Sequence, residues 1–287
     1  MQSDQLEALA AVVSAGTFDA AARALNVTPS AISQRIKTLE TSLGRVLVER
    51  TKPVRATHDG EVLLRAQRQI DWINQETRRE LAETSTPRSI PLAINADSLS
   101  TWALPVLAEQ AAALNATFDI TREDEGHSLD LLRTGAVLGA VTASSDNVPG
   151  CVTTALGELT YTAVATPSFI KNHFGTQASK GTLASAPVVY FDKKDRLQSL
   201  FLARFGRDLA PPRHYIPGSS AYLEAVRHGM GWGLIPGPQL AAIPAGELAP
   251  IASSARVKVK LYWTRWKVAA ELLDGLGRAF AAALARG

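Results

Sequence analysis

The chain has a single cysteine, Cys151, in 287 residues, so it forms no internal disulfide and fits a reducing cytoplasm. It lacks the apolar run that a membrane helix needs, and it lacks a charged-then-apolar leader, which argues against membrane insertion and secretion. Its five histidines (His58, His127, His173, His214 and His228) show no paired metal spacing, and Cys151 has no histidine near it in sequence. The glycines of residues 229–233 (GMGWG) match neither a dinucleotide nor a phosphate-loop fingerprint; they suit the end of a helix and the start of a strand. Residues 217–221 (PGSSA) lack the nucleophile elbow that would seed a catalytic triad. No catalytic residue, metal site or cofactor is expected, and the chain reads as a non-enzyme. An irregular divalent-ion site at His127 with Glu123, Asp124 and Glu125 is the alternative. A formal charge of +3 is too small to announce a nucleic-acid partner by bulk electrostatics.

What is present is local. Residues 28–43 (TPSAISQRIKTLETSL) predict a helix capped by Thr28, with Pro29 at the first helical position. Ile32, Ile36, Leu39 and Leu43 recur at helical spacing and form one apolar stripe. Ser30, Gln34 and Lys37 fall opposite it, with Ser33 and Arg35 on its flanks, where donors can reach base edges and phosphates. Upstream, Leu6, Leu9 and Val13 predict a first helix ended by Gly16, and Thr17 caps a short second one over residues 18–25. The spacing is that of a helix-turn-helix, although a plain helical bundle uses the same pattern.

Between Thr28 and Arg55 stand six basic residues (Arg35, Lys37, Arg45, Arg50, Lys52, Arg55) and two acidic ones (Glu40, Glu49), which concentrates positive charge beside the reading helix. Residues 45–50 (RVLVER) predict a short strand and 51–53 a turn. Together they make a wing that sets Arg50 and Lys52 against the phosphate backbone; a solvated basic hairpin is the plainer reading. Thr57 then caps a helix reaching to about residue 83, with Asp59 and Glu61 suiting its positive end. Leu63, Ala66, Ile70, Ile73 and Thr77 follow coiled-coil spacing, so this helix is expected to pair with a second copy and present two reading helices to a two-fold operator. The same seam packed on its own domain is the competing reading.

The order of these elements, the segment AARALNVTPSAISQRIKTLETSLGRVLVER and the following THDGEVLL resemble the LysR-type transcriptional regulators over the full length. Val48 departs from the phenylalanine usual in that family, a change in packing more than in DNA contact. The resemblance implies a winged helix-turn-helix over residues 1–58, a linker and dimerisation helix with hinge over 59–88, and an effector-binding domain over 89–287. The fold class expected is α+β multidomain, ending in a two-lobed α/β domain like the periplasmic binding proteins. Lobe I is expected to hold about 89–160 and 262–287, and lobe II about 161–261.

Alternating strand and helix signals after residue 92 agree with parallel β-α-β units, and a ligand would sit between the lobes at strand C-terminal ends. The prolines and hydroxyl residues of 84–91 mark the domain boundary. The junction of residues 95–102 (NADSLSTW) offers helix-start N–H groups and the hydroxyls of Ser98, Ser100 and Thr101 as a carboxylate site, with a simple helix cap as the plainer reading. Asp97 with Glu123, Asp124 and Glu125 adds an acidic wall, which points to a cationic amino acid, whereas an acidic run alone is more often a solvated loop. Thr142 and Ser219 are further candidate contacts.

NADSLSTW, REDE, LRTGAVLGAVT and LYWTRW are similar to the LysG/ArgP branch of the family. That branch implies lysine or arginine, with histidine a third candidate, as effector. It further implies an amino-acid exporter gene as target, activation as mode, and double-stranded DNA, a second copy within a tetramer and RNA polymerase as partners. The alternatives are a LysR-type regulator answering another small anionic metabolite, and a DNA-tethered enzyme or solute-binding module.

Overall fold

Two threonine hydroxyls set the N-terminal domain. In the computed structural model, which describes residues 1–81, 87–122 and 125–286, Thr17 Oγ1 accepts from the Ala20 N–H and Thr28 Oγ1 from the Ala31 N–H, each at 3.2 Å. They start α2 (Phe18–Ala24) and α3 (Pro29–Leu43), which follow α1 (Ser3–Ala15). Asn26, with φ of +53°, supplies the left-handed turn between α2 and α3. Ile32, Ile36 and Leu39 are buried against Leu6, Leu9 and Val12. Leu43, expected in the same stripe, is 42% exposed, because Gly44 ends the helix beyond the edge of this core.

The wing is shorter than the sequence implies. Only Val48–Glu49 (β1) pairs with Arg55–Ala56 (β2), since the Leu47 N–H donates to Glu40 Oε1 at 2.8 Å and ties that stretch to α3 instead. The linker helix α4 (His58–Glu80) starts at Thr57, whose Oγ1 accepts from the Gly60 N–H. Gly60 is required there, because a Cβ would stand 2.0 Å from the Leu47 carbonyl oxygen. Residue 83, the expected end of this helix, lies outside the described residues.

The first strand after the linker begins before residue 92, where its signal starts in the sequence: β3 (Arg88–Ile94) includes Pro91, because its parallel pairing with β4 (Ala116–Arg122) starts at Arg88. Between them lie α5 (Ala96–Ser98), a π-helical turn at Leu99–Ala103, and α6 (Leu104–Ala113). After α7 (Glu125–Thr134) comes β5 (Gly139–Thr142), parallel to β3 on its other side. The long strands β6 (Cys151–Ala165) and β11 (Arg256–Trp266) are antiparallel neighbours that pass through both lobes. Their pairing slips at Leu261/Tyr262, opposite Gly157, whose φ of +147° suits glycine; the ribbon bends there.

Lobe II continues with α8 (Pro167–His173), α9 (Lys180–Ser185), β7 (Val188–Tyr190), α10 (Leu197–Leu202), β8 (Arg213–Tyr215), α11 (Ser219–Arg227), β9 (Gly233–Pro236), α12 (Gly237–Ala241) and β10 (Ala249–Pro250). β9 and β10 pair with β6, and β7 runs parallel to β8. The last helix, α13 (Ala270–Leu284), returns to lobe I, where Phe280 meets the edges of Trp102 and Trp263.

Trp72 of α4 is buried in the core of the effector domain. Arg68 Nη1 donates to the Thr134 carbonyl and Arg88 Nη1 lies 3.1 Å from Glu76 Oε2, so the linker helix is docked on lobe I.

Candidate functional site

On α3, Ser30, Gln34 and Lys37 are exposed, and Ser33 is half-buried. Thr28 Oγ1 lies 2.9 Å from Ser30 Oγ, so the capping threonine is already engaged. Arg35 turns back to α1, with Nε 3.2 Å from Asp4 Oδ2, which lowers the charge it can offer outward. On the wing, Lys52 is exposed and the Arg50 guanidinium lies 5.7 Å from the centre of the Phe18 ring. Ser30, Gln34 and Lys37 on α3 and Arg50 and Lys52 on the wing are therefore all open to solvent.

The seam of α4 divides. Leu63 packs on the N-terminal core and Ala66 is half-buried, whereas Ile70 and Ile73 are 36% and 52% exposed. The face toward lobe I is a different one, carrying Trp72.

Between the lobes lies a cleft of about 700 Å³. β3 delivers Asp97 to it from one side, and β6 delivers Tyr161 from the hinge ribbon. The Tyr161 hydroxyl donates to Asp97 Oδ2 at 2.9 Å, and Ser219 Oγ, at the start of α11 in lobe II, donates to Asp97 Oδ1 at 3.2 Å. Burial pushes the Asp97 carboxyl above the usual carboxylate range, while the two hydroxyl bonds act in the opposite sense. A second bond between lobes runs from Gln239 Nε2 to Ser100 Oγ at 3.3 Å.

The hydroxyls of the 95–102 junction behave differently from the expectation. Ser100 Oγ and Thr101 Oγ1 donate to the Asp97 carbonyl at 3.2 and 2.6 Å, so neither proton is offered to a carboxylate. The Ser98 N–H is likewise taken, by Asn95 Oδ1 at 2.8 Å. Ser98 Oγ is fully buried, without a hydrogen-bond partner among the described residues. Thr142 is buried too, and its Oγ1 accepts from the Ser144 N–H; it does not line the cleft. Glu123 and Asp124 lie outside the described residues, as does the side chain of Glu125.

The cleft also holds residues that the sequence reading missed. Asp192 and Asp195 follow β7 in lobe II, at a strand-to-helix junction of the same kind as the one at Asp97. Gln198 and Tyr222 line it deeper, tied by Gln198 Nε2 donating to the Tyr222 oxygen at 3.0 Å. The junction signal was there to read in FDKKDR, which follows the strand signal at residues 188–191. His127 reaches the cleft wall, but among the described residues no three histidine, cysteine or acidic side chains gather as a metal site.

Residues 3–61 match the helix-turn-helix of bacterial regulatory proteins of the lysR family, and residues 86–284 match the LysR substrate-binding domain. The chain belongs to the LysR family. It is 42% identical to the lysine export transcriptional regulatory protein LysG of Corynebacterium efficiens, over 96% of this chain and 95% of that protein. Its fold is similar to the crystal structure of ArgP from Mycobacterium tuberculosis, with a TM-score of 0.92, 38% identity and 98% of each chain covered. It is also similar to full-length LysG of Corynebacterium glutamicum with bound effector Arg, with a TM-score of 0.85, 38% identity and 100% and 99% coverage. In this LysR-family chain, then, the exposed face of α3 belongs to the regulatory helix-turn-helix, and the cleft at Asp97 belongs to the substrate-binding domain.

Proposed function

We propose that this LysR-family regulator senses a basic amino acid in the cleft at Asp97 and controls a gene for amino-acid export, as an activator working with RNA polymerase in the cytoplasm. Arginine or lysine is the effector, with histidine third, and no cofactor takes part. One observation carries the reading: a buried carboxylate stands between the lobes, held by a hydroxyl from the hinge and another from lobe II. A carboxylate has about four acceptor positions, and two remain for an ammonium or guanidinium group. The acids of residues 123–125 take the second cation of the ligand, and the 95–102 junction, which meets the cleft at Asn95 and Ala96, takes its carboxylate.

Lobe closure then depends on the ligand. A cation on Asp97 adds bonds that exist only when Ser219 and Gln239 of lobe II are near, so the effector favours the closed arrangement by its differential affinity. The closed lobes shift the docked α4 and with it the paired α3 helices on the operator. Two copies pair through Ile70 and Ile73, and a tetramer forms from two such pairs. Ser30, Ser33 and Gln34 face the bases, Arg35 reaches DNA by leaving Asp4, and Thr28, Lys37, Arg50 and Lys52 hold phosphates.

A second reading keeps the regulator and changes the ligand. Lys194, Arg196 and Lys258 also line the cleft, and they suit a small anionic metabolite. A thermal-shift screen of the twenty amino acids and a panel of small organic acids separates the two. Stabilisation by arginine or lysine supports the first; response to acids alone moves the assignment to the second.

A further inference from the structure

Lobe II carries another cavity, of about 530 Å³, which shares Lys194, Asp195 and Arg196 with the effector cleft but not Asp97. Lys193 and Arg213 line this cavity alone, so its wall gathers four cations. The Arg213 guanidinium lies 5.3 Å from the centre of the Tyr190 ring and is hydrogen-bonded to the Tyr215 side chain, and a fork laid on an aromatic face has further edge N–H groups for oxygen ligands. Tyr190 is itself buried, and its hydroxyl lies 3.3 Å from Ser199 Oγ, which puts two hydroxyls in the same wall.

The carboxylate of that wall, Asp195, is turned into the backbone. Its Oδ2 accepts from the Phe191 N–H at 3.1 Å and its Oδ1 from the Leu197 N–H at 2.9 Å, so it fixes the turn. Like charges crowded on one wall repel unless an anion sits among them. One monocarboxylate would answer a single cation, whereas phosphate groups present several acceptor oxygens and more than one charge, matching an arginine fork and lysine ammonium groups. The volume is that of a small-metabolite site. We infer that this cavity is a second ligand site of the regulator, taking a small phosphate-bearing anion of about diphosphate size.

Calorimetric titration of the full chain with inorganic diphosphate at low salt tests this. Saturable binding is expected, weakened about tenfold by Arg213→Gln and by Lys193→Gln, while Lys171→Gln on the exposed surface of the same lobe binds like the parent. Both altered residues are exposed, so the fold is kept. Absence of saturable binding overturns the inference, as does equal weakening in all three variants, which marks non-specific ion attraction. Diphosphate binding unchanged in Arg213→Gln, with operator affinity reduced, also overturns it and gives these cations to DNA.

Discussion

At the scale of residues, the sensing role proposed for Asp97 is tied to stability. Burial raises its pKa, so the folded chain binds that proton more tightly than the unfolded chain does. Its contribution to stability therefore grows as pH falls through the raised pKa and is lost above it, while binding of a cation requires the ionised form. Arginine affinity, followed by calorimetry from pH 8 to pH 5, is expected to fall on acidification, approaching about tenfold per pH unit below the pKa of the free protein. Asp97→Asn should abolish the arginine response and raise the melting temperature of the ligand-free protein at neutral pH. A variant that melts lower and still binds arginine like the parent would remove Asp97 from the site. Gly60 offers a separate test in the N-terminal domain. Gly60→Ala places a methyl group against the Leu47 carbonyl and should destabilise that domain by about 1–3 kcal/mol, seen as lost operator binding with effector binding intact. The position of Asp97 at the cleft was legible because strand, acid and helix start are adjacent in sequence. The engagement of Ser100 and Thr101 was not, since it depends on which way each hydroxyl turns once the helix has formed.

At the scale of elements, α3 and α4 each show one face that the sequence announces and one that it hides. With exposed Lys37 holding a phosphate as proposed, Lys37→Ala should lower the slope of log affinity against log salt by about one, measured by fluorescence anisotropy with operator DNA. Arg35→Ala should change that slope less, because Asp4 already neutralises part of its charge. The exposed pair Ile70 and Ile73 makes a sharper claim about assembly. Ile70→Asp with Ile73→Asp should break the proposed pairing and lower the sedimentation coefficient, leaving the calorimetric arginine signal in place; an unchanged sedimentation coefficient would refute pairing through this face. The period of apolar residues gives a helix's faces but not their partners. Leu63 and Trp72 lie on two different cores of the same chain, and Trp72 belongs to a surface that starts at β3 and ends at α13.

At the scale of the whole molecule, the docking of α4 on lobe I is the contact through which the proposed sensing would reach the reading helices. Trp72→Ala leaves a large void in that contact and should cost about 3–5 kcal/mol of local stability. The expected outcome is arginine binding close to that of the parent with a reduced effect of arginine on operator affinity, measured by anisotropy with and without ligand. What the sequence by itself determined are the features written in short-range pattern: threonine caps, helical stripes, a wing rich in cations, and alternating strands and helices after residue 92. These rest on backbone hydrogen bonding and hydrophobic period, which act over a few residues. Only the tertiary structure decided which groups meet across the lobes. Ser219 and Tyr161 reach Asp97 from 122 and 64 residues away, and Asp192 and Asp195 face the same cleft from the other lobe. Such contacts depend on where the bent ribbon of β6 and β11 folds one lobe over the other, and no local pattern encodes that angle.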